Sequence, residues 1–424
     1  MAKIRMEKLQ AGKMAKEALL LTKTLVEKHG PRLVGSEACT KTAIDLQDEL
    51  SKHCDSTQAD RFPLNPGAFL GWIKLMVVLY PLALAFLWFK LPLISFLLSL
   101  AGVLTMVFEF FLYRELLDPF FPAATGVNVH GVIEPEKEVR QTVIFSGHHD
   151  SARVFNFYAK NPKLYIFKVM GALGSFLALF IIALGWTLLG LSSGTLFTPG
   201  LPSGVSLVML LFFTLMIPVV ANLWFFASNE GTPGAGDNLI SCAMAVQLSR
   251  YFSRNKDNGI PLLHTRLIFA SFDGEEAGLR GARAFYAKYK DQLLTTPAWN
   301  FNVDCPYFAK DLFFLTSDIN GSVKLSQEMA TKCVTIARSM GFEAKSQPIA
   351  FLTGGTDAAE AAKIGIHAVS LMAMPWETNE VGAVYHTPRD LPESIEPQVV
   401  EETLSIAIRF IEQTDAAATQ THSA

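Results

Sequence analysis

Two long stretches with almost no charge dominate the pattern of hydrophobic and polar positions along the chain. Residues 75–108 are apolar apart from Lys90 and a few small polar residues. Residues 169–229 contain no Asp, Glu, Lys or Arg, and "GLSSGTLFTPGLPSG" divides them near the middle. Each half is close to the ~20 residues that a helix needs to cross a bilayer. The pattern predicts two helical hairpins with four membrane spans, at 75–89, 91–108, 169–191 and 205–226.

Buried core helices are the alternative, but globular helices rarely run this long without a polar face. Glu109 lies near the end of the second predicted span, and we expect it to reach the interface or face the helix bundle. A transporter would place several polar or charged groups within its spans, and only Glu109 qualifies. The sequence therefore does not favour a transporter.

The rest of the chain predicts one α/β domain, built from residues 1–66, 119–165 and 228–424, with the hairpins 67–118 and 166–227 inserted. Runs such as "QTVIFSGHHD", "HTRLIFASF", "WNFNVDCP" and "GIHAVSLMAM" read as strands, and helical patterns separate them. Alternating strands and helices favour a mixed or parallel sheet with helices on both faces. Because each hairpin crosses the membrane twice, all three pieces are expected on the same side.

Composition and charge add the cellular setting. Half of the residues are hydrophobic, 18% are charged, and the net charge of -3 gives no reason to expect nucleic acid. The basic residues near the span ends are Arg61, Lys74, Arg114, Arg153, Lys160, Lys163 and Lys168 on the domain side, against Lys90 on the other. This bias predicts a multi-pass plasma or inner membrane protein with a cytoplasmic domain. The absence of a cleavable signal pattern at the start and the five irregularly spaced cysteines, expected to be reduced, agree with that side.

Polar residues recur at the predicted strand ends. "VIFSGHHDS" carries His148 and Asp150, and "FDGEEAG" carries Glu275 and Glu276. "GTPGAGDN", "NVDCP" and "AVYHTPRD" supply Asp237, Asp304 and His386, respectively. Ligands of α/β sheets bind beyond the strand ends, where these side chains would meet.

Histidines combined with carboxylates are typical ligands of zinc or a related divalent metal. Several carboxylates close together raise one another's pKa, whereas neighbouring cations lower it. The surplus of carboxylates therefore suits a site with two metal ions.

The motifs "GHHDS", "GAGDN", "EEAGLRGARAF", "VDCP" and "YHTPRD" resemble, in this order, those of the zinc-dependent M28 metallopeptidases. The early "PRLVGSEACTKTAIDLQDEL" is similar to the start of the same family, so the resemblance spans all three soluble pieces. It implies a three-layer α/β/α zinc-exopeptidase domain with a mixed sheet. The membrane hairpins depart from a typical soluble member. "EEAGLRGA" and "GGTDAAEAA" are equally similar to the M42 and M20 branches of the same clan.

The resemblance also implies a role for each residue at the strand ends. His148 and Asp304 would bind one zinc, Glu276 and His386 the other, and Asp237 would bridge the two. Asp150 would hold His148 in the coordinating tautomer. Glu275 would be the general base, pointing away from Glu276.

The remaining candidates receive structural interpretations. We expect His149 and Asp273 to be loop residues, Asp357 a helix cap, Asp390 a support for the site, and His367 a packed strand residue.

The resulting prediction is a membrane-anchored di-zinc aminopeptidase that removes N-terminal residues from short peptides. A glutaminyl cyclase-like acyltransferase is the first alternative, but one-zinc chemistry would not need the full set of five ligands. A non-enzymatic receptor or scaffold on the same fold is the second, and it would predict broken ligand positions. The expected partners are peptide substrates and the lipid bilayer.

Overall fold

The fold is seen in a computed structural model that describes residues 2–375 and 384–420. These residues form two compact units. The first, called the sheet unit, lies within Met1–Pro66, Ala123–Val154 and Asn229–Ala424. The second, called the helical unit, comprises Gly67–Pro122 and Phe155–Ser228.

The described residues contain the following α-helices, in chain order. They are α1 (Ala2–His29), α2 (Glu37–Ser51), α3 (Gly71–Trp88), α4 (Pro92–Met106), α5 (Asn156–Lys160), α6 (Pro162–Ser193), α7 (Val205–Leu215), α8 (Ile217–Ala221), α9 (Ile240–Asp257), α10 (Arg280–Leu293), α11 (Gln327–Ser339), α12 (Ala358–Lys363) and α13 (Pro397–Gln420).

The strands were numbered in the same way. They are β1 (Ser56–Leu64), β2 (Ala124–Ile133), β3 (Gln141–His148), β4 (Arg153–Phe155), β5 (Ala227–Gly231), β6 (Thr265–Phe272), β7 (Ala298–Pro306), β8 (Leu312–Leu315), β9 (Ser317–Asp318), β10 (Val323–Lys324), β11 (Lys345–Gln347) and β12 (His367–Ala373).

Eight of the strands in the described part of the chain form one sheet, in the order β1-β2-β6-β3-β7-β12-β8-β11. The central strands β6, β3, β7 and β12 run parallel, whereas β1, β2 and β8 pair antiparallel with their inner neighbours. This confirms the predicted α/β class with a mixed sheet. Every residue of β3 is buried, as expected of a central strand covered on both faces.

The register of the parallel strands positions their polar ends. His148 at the end of β3 pairs with Phe272 at the end of β6. Ser146 pairs with Asn302, two residues before Asp304. The segments that follow β3 and β6 and the end of β7 therefore meet at one edge of the sheet.

Helices cover the sheet in two groups. Helices α1, α9 and α13 pack against one another, and α9 contacts β3 and β6. Helices α10 and α12 pack together, where α10 contacts β1 and β2 and α12 contacts β7 and β12. Local sequence fixes helix starts as well: the Ser36 hydroxyl accepts from the Cys39 N–H and caps α2.

The helical unit contains, within the described residues, four helical segments long and apolar enough to cross a membrane. They are Gly71–Trp88, Pro92–Phe111, Pro162–Ser193 and Val205–Phe225. The Tyr80 hydroxyl donates to the Phe213 carbonyl and joins α3 to α7, and the Phe96 and Phe180 rings stack between α4 and α6. Glu109 is fully buried and accepts a hydrogen bond from the Leu117 N–H, so it faces the bundle.

Candidate metal centre

The residues predicted to form the site come together at one edge of the sheet. His148 ends β3, Glu275 and Glu276 follow β6, and Asp304 lies near the end of β7. Asp237 comes from the turn before α9, and His386 comes from a segment before α13. All six belong to the sheet unit.

Asp237 lies between the two histidines. Its Oδ1 is 3.4 Å from His148 Nε2, and its Oδ2 is 3.1 Å from His386 Nε2. The two oxygens of one carboxylate therefore face two separate imidazoles. This arrangement is that of a carboxylate able to bridge two cations.

Three groups of ligand-type atoms surround Asp237, each with its atoms within 4.8 Å of one another. One consists of His148, Glu275 and Asp304, and another of Asp237, Glu276 and His386. A third contains Asp237, Asp304 and Cys305. The first two groups could each hold one metal ion.

Glu275 and Glu276 point to different parts of the cluster: Glu275 lies with His148 and Asp304, and Glu276 lies with Asp237 and His386. The Glu275 Oε2 atom is 3.7 Å from His148 Nε2. The side chains of Glu275 and Glu276 are 10% and 13% exposed, so both carboxylates lie where the site reaches solvent.

Asp150 supports three parts of the site at once. Its Oδ1 accepts from the Glu275 N–H and lies 3.3 Å from His148 Nδ1, and its Oδ2 accepts from the Glu276 N–H. Asp150 thus contacts the imidazole whose tautomer it is predicted to hold. Gly274 allows the turn because its φ of +76° suits a residue without a side chain.

Asp390 fixes the backbone that presents Asp237. Its two oxygens accept from the N–H groups of Gly236 and Asp237, at 2.8 and 3.2 Å. A side chain at Gly236 would clash with the Tyr307 ring. Asp390 is therefore the support that the sequence analysis expected.

Arg32 is a fully buried residue that the sequence analysis did not assign to the site. Its guanidinium donates to the carbonyls of Gly30, His149, Pro233 and Gly234. It ties the segment after β3 to the loop before Asp237. The position of Arg32 just before the "GS" pair was the only sequence signal.

Burial and like charges raise the pKa of the carboxyl groups. Burial raises the pKa of Glu276 to about 7 and that of Asp304 to about 6, and the Asp237 charge adds to both shifts. Burial also raises the pKa of Glu275 well above its ordinary value, although the His148 charge opposes the shift.

The two histidines and Asp237 shift one another's pKa values. Burial lowers a histidine pKa, yet Glu276 and Asp237 raise the pKa of His386 to about 10. Against the same burial effect, Glu275, Asp150 and Asp237 raise the pKa of His148 well above its ordinary value. Burial would raise the pKa of Asp237, but its contacts with both histidines hold it below the usual range. Without cations the site must therefore hold protons, which divalent ions would replace.

Three buried atoms of the cluster make no hydrogen bond of good geometry to any described residue, and the contact between Asp237 Oδ2 and His386 Nε2 is an ion pair. The three atoms are His148 Nε2, Asp237 Oδ2 and Glu276 Oε1. Leaving such an atom unsatisfied costs about 1–3 kcal/mol. All three are nitrogen or carboxylate oxygen atoms, the types that zinc binds together with thiolates. The residues therefore fit zinc.

The other candidates take varied positions. His149 and Asp273 follow strand ends, as expected of loop residues, but both are fully buried. Asp357 stands at the N-cap position of α12, yet its side chain makes no capping hydrogen bond. His367 lies in β12, where it is largely exposed and stacks on Trp299. Cys305 was not considered from the sequence, although "VDCP" places it beside Asp304.

The fold is that of the zinc exopeptidases. A sequence model of Peptidase family M28 matches residues 222–411. The resemblance stated from the five motifs is thereby confirmed, and M28 is favoured over the M42 and M20 branches. The chain matches none of the curated proteins compared with it.

Solved structures with the same fold include both peptidases and cyclases. A zinc aminopeptidase from Bacillus subtilis is 15% identical with a TM-score of 0.55, covering 93% of this chain and 94% of that one. A Zn-dependent exopeptidase from Parabacteroides distasonis is 13% identical with a TM-score of 0.54, covering 94% and 97%. A glutaminyl cyclase from Porphyromonas gingivalis is 14% identical with a TM-score of 0.55, covering 94% and 98%. Identities this low establish the fold, which supports an enzyme, and leave its reaction open.

Proposed function

We propose that this protein is a membrane-anchored di-zinc aminopeptidase that removes N-terminal residues from short peptides. The observation that carries the proposal is the position of Asp237, whose two oxygens face His148 and His386. His148 and Asp304 would hold one zinc, and Glu276 and His386 the other. When bound, the zinc ions would acidify a water molecule and polarise the substrate carbonyl.

The protein's own residues would then move the proton. Glu275, at the solvent-reaching side of the cluster, would take a proton from the attacking water and return it to the leaving amine. Asp150 would hold Glu275 and Glu276 through their backbone N–H groups. Asp237 would keep the two histidines at a fixed separation.

The domain arrangement and the location belong to the same proposal. We propose that residues 1–66, 119–165 and 228–424 form the peptidase domain, and that 67–118 and 166–227 are membrane hairpins. The four apolar helices support the membrane location. The basic residues near the span ends favour a cytoplasmic peptidase domain.

Metal content and product analysis would test the activity together. Purified protein should contain zinc, and it should release free amino acids from unblocked peptides and not from their N-acetylated forms. Release from both substrates would exclude aminopeptidase action. Zinc-free protein with full activity would exclude the metal mechanism.

A glutaminyl cyclase is the second candidate, because the similar structures include an enzyme so named. Against it stands the second histidine–carboxylate pair, which one-zinc chemistry would not need. A peptide beginning with Gln separates the two, because a cyclase releases ammonia without free glutamine. An aminopeptidase releases glutamine.

A further inference from the structure

A second cluster of ligand-type side chains lies apart from the candidate metal centre and shares no residue with it. It consists of Cys39 in α2, His149 after β3 and Asp273 after β6, all fully buried. One ligand atom from each lies within 4.8 Å of the other two. The cluster joins three segments that are distant in the sequence.

Hydrogen bonds determine which nitrogen of His149 is available. The Ser271 hydroxyl donates its single proton to Cys242 Sγ, at 3.0 Å. His149 Nδ1 lies 2.7 Å from Ser271 Oγ, so a hydrogen bond to Ser271 occupies this nitrogen. His149 Nε2 has no hydrogen-bond partner among the described residues. A hydrogen bond at Nδ1 with a free lone pair at Nε2 is the usual state of a metal-binding histidine.

Cys39 and Asp273 already stand at the separation of two ligands. The Cys39 thiol donates a hydrogen bond to Asp273 Oδ1 at 3.2 Å, and ligand atoms around one tetrahedral zinc lie about 3.5 Å apart, so a metal ion could replace the shared proton with a small shift of the two atoms. The other oxygen of Asp273 accepts from the Val127 N–H, which holds the carboxylate in place.

The charges of the cluster balance a divalent cation. A thiolate and a carboxylate carry two negative charges, and a neutral imidazole adds none. With a divalent ion the three side chains would sum to zero charge, and the neighbouring charges of Arg32 and Asp150 are opposite in sign, which reduces the cost of burying the ion. Binding would release the thiol proton to solvent and form a metal–sulfur bond in its place.

From these contacts we propose that Cys39, His149 and Asp273 bind one further divalent metal ion, zinc by ligand type, in a structural role. The ion links α2 to the ends of β3 and β6, and so holds the segments that carry His148 and Glu275. The site stands independently of the proposed peptidase function, because none of its ligands is assigned to that reaction.

Cobalt substitution tests this site through its sulfur ligand. Full-length protein in detergent would be stripped of metal with a chelator and reloaded with Co²⁺. A thiolate bound to Co²⁺ gives an intense charge-transfer absorption in the near ultraviolet, whereas histidine and carboxylate ligands do not. We expect this absorption in the native protein, together with one metal ion per chain beyond those that the candidate metal centre binds. The absence of sulfur absorption would overturn the proposal even without a variant.

Three cysteine variants locate the sulfur ligand. Cys39→Ser should abolish the absorption and lower the metal content by one ion per chain. Cys333→Ser removes another fully buried thiol, in α11, and should change neither. Cys305→Ser tests the thiol next to Asp304, and an absorption that disappears with Cys305 would overturn the assignment. If Cys39→Ser fails to fold, X-ray absorption spectroscopy of the zinc-loaded Cys305→Ser protein provides the test. A sulfur ligand at about 2.3 Å would support the proposal, and its absence would overturn it.

Discussion

The Asp150 carboxylate accepts a hydrogen bond from the backbone N–H of Glu275, at 3.2 Å. Its second oxygen accepts from the Glu276 N–H, and its first also lies close to His148 Nδ1. One buried side chain thus aligns a histidine at the end of β3 with two carboxylates after β6. These contacts are the basis for predicting that Asp150 positions the imidazole and the two glutamates.

We expect Asp150→Asn to weaken metal binding or activity by about 10–100-fold, as found for residues that orient metal ligands. The amide offers only one acceptor oxygen, so one of the two backbone N–H groups would lose its partner. Metal dissociation and kcat/KM should be measured together. Asp45→Asn, at the surface beside Lys28, is the matched control and should change neither. Native metal affinity and activity in Asp150→Asn would remove the positioning role.

Glu275→Gln tests the general base. The variant should keep its metal content, because Glu275 is not a proposed ligand, and lose about 10²–10⁴-fold in kcat. Glu328→Gln, on an exposed turn of α11, is the control and should behave as the native protein. A variant that hydrolyses peptides at the native rate would show that Glu275 is not the base. Loss of one metal ion would instead show that Glu275 is a ligand. The distance of 3.7 Å between Glu275 Oε2 and His148 Nε2 is short enough for both to bind the same ion, so the metal count distinguishes the two roles.

Asp237→Ala tests the bridge between the two histidines. Removing both oxygens should lower the number of bound metal ions and abolish activity, since each histidine would lose its shared carboxylate. Metal analysis after dialysis measures the effect, and circular dichroism would check that the fold is retained. Two ions bound at native affinity in the candidate metal centre would exclude Asp237 from the site.

Sequence patterns predicted the parts of this structure that depend on local chemistry. The buried strands and the apolar helices follow from runs of hydrophobic residues, and the polar strand ends follow from residues such as His148 and Asp304. Strand β1 was missed because its "STQADRFPL" mixes charges with apolar residues, and it pairs only at the edge of the sheet with β2.

The direction of side chains in the turns could not be predicted. Glu275 and Glu276 are neighbours, and no local pattern reports that Glu275 lies with His148 and Asp304 while Glu276 lies with Asp237 and His386. Asp357 matched the sequence pattern of a cap, but its side chain makes no such bond. The contact between Cys39 and Asp273 joins residues 234 positions apart, and no local pattern reports it.

The pKa shifts predict that the metal-free protein loses stability as pH rises, whereas the stabilisation by added zinc grows. Burial raises the folded pKa of Glu276 to about 7 and that of Asp304 to about 6, above the ordinary carboxyl value of about 4. The folded protein then holds protons that the unfolded chain has released, so this stability is present at low pH and lost as pH rises through about 6–7. His386, raised to about 10 by Glu276 and Asp237 against the effect of burial, extends the loss above pH 6.5.

Calorimetry with excess chelator or excess zinc would measure this difference. The Tm of the chelated protein should fall between about pH 5 and pH 8. Zinc binds the deprotonated ligands, so the Tm gain on adding zinc should widen over the same range. A constant gain across the range would contradict the assignment of these residues as ligands.

The proposed membrane topology can be read from single cysteines introduced on either side of the second hairpin. Ser193 and Ser203 lie within the polar interruption, near its two ends, whereas Lys160 and Glu230 flank the hairpin, and all four are exposed. If α6 and the segment Val205–Phe225 cross the membrane, Ser193→Cys and Ser203→Cys should react with an impermeant thiol reagent from one side. Lys160→Cys and Glu230→Cys should react from the other, which the positive-inside bias makes the cytoplasm. Four of the five native cysteines are buried, so the native chain provides the background measurement.

Labelling of all four sites from the same side would exclude the second hairpin as a membrane-crossing unit. Labelling of Glu230→Cys from outside, with Ser193→Cys reacting from inside, would keep the spans and place the peptidase domain outside the cytoplasm, where its substrates would be extracytoplasmic peptides.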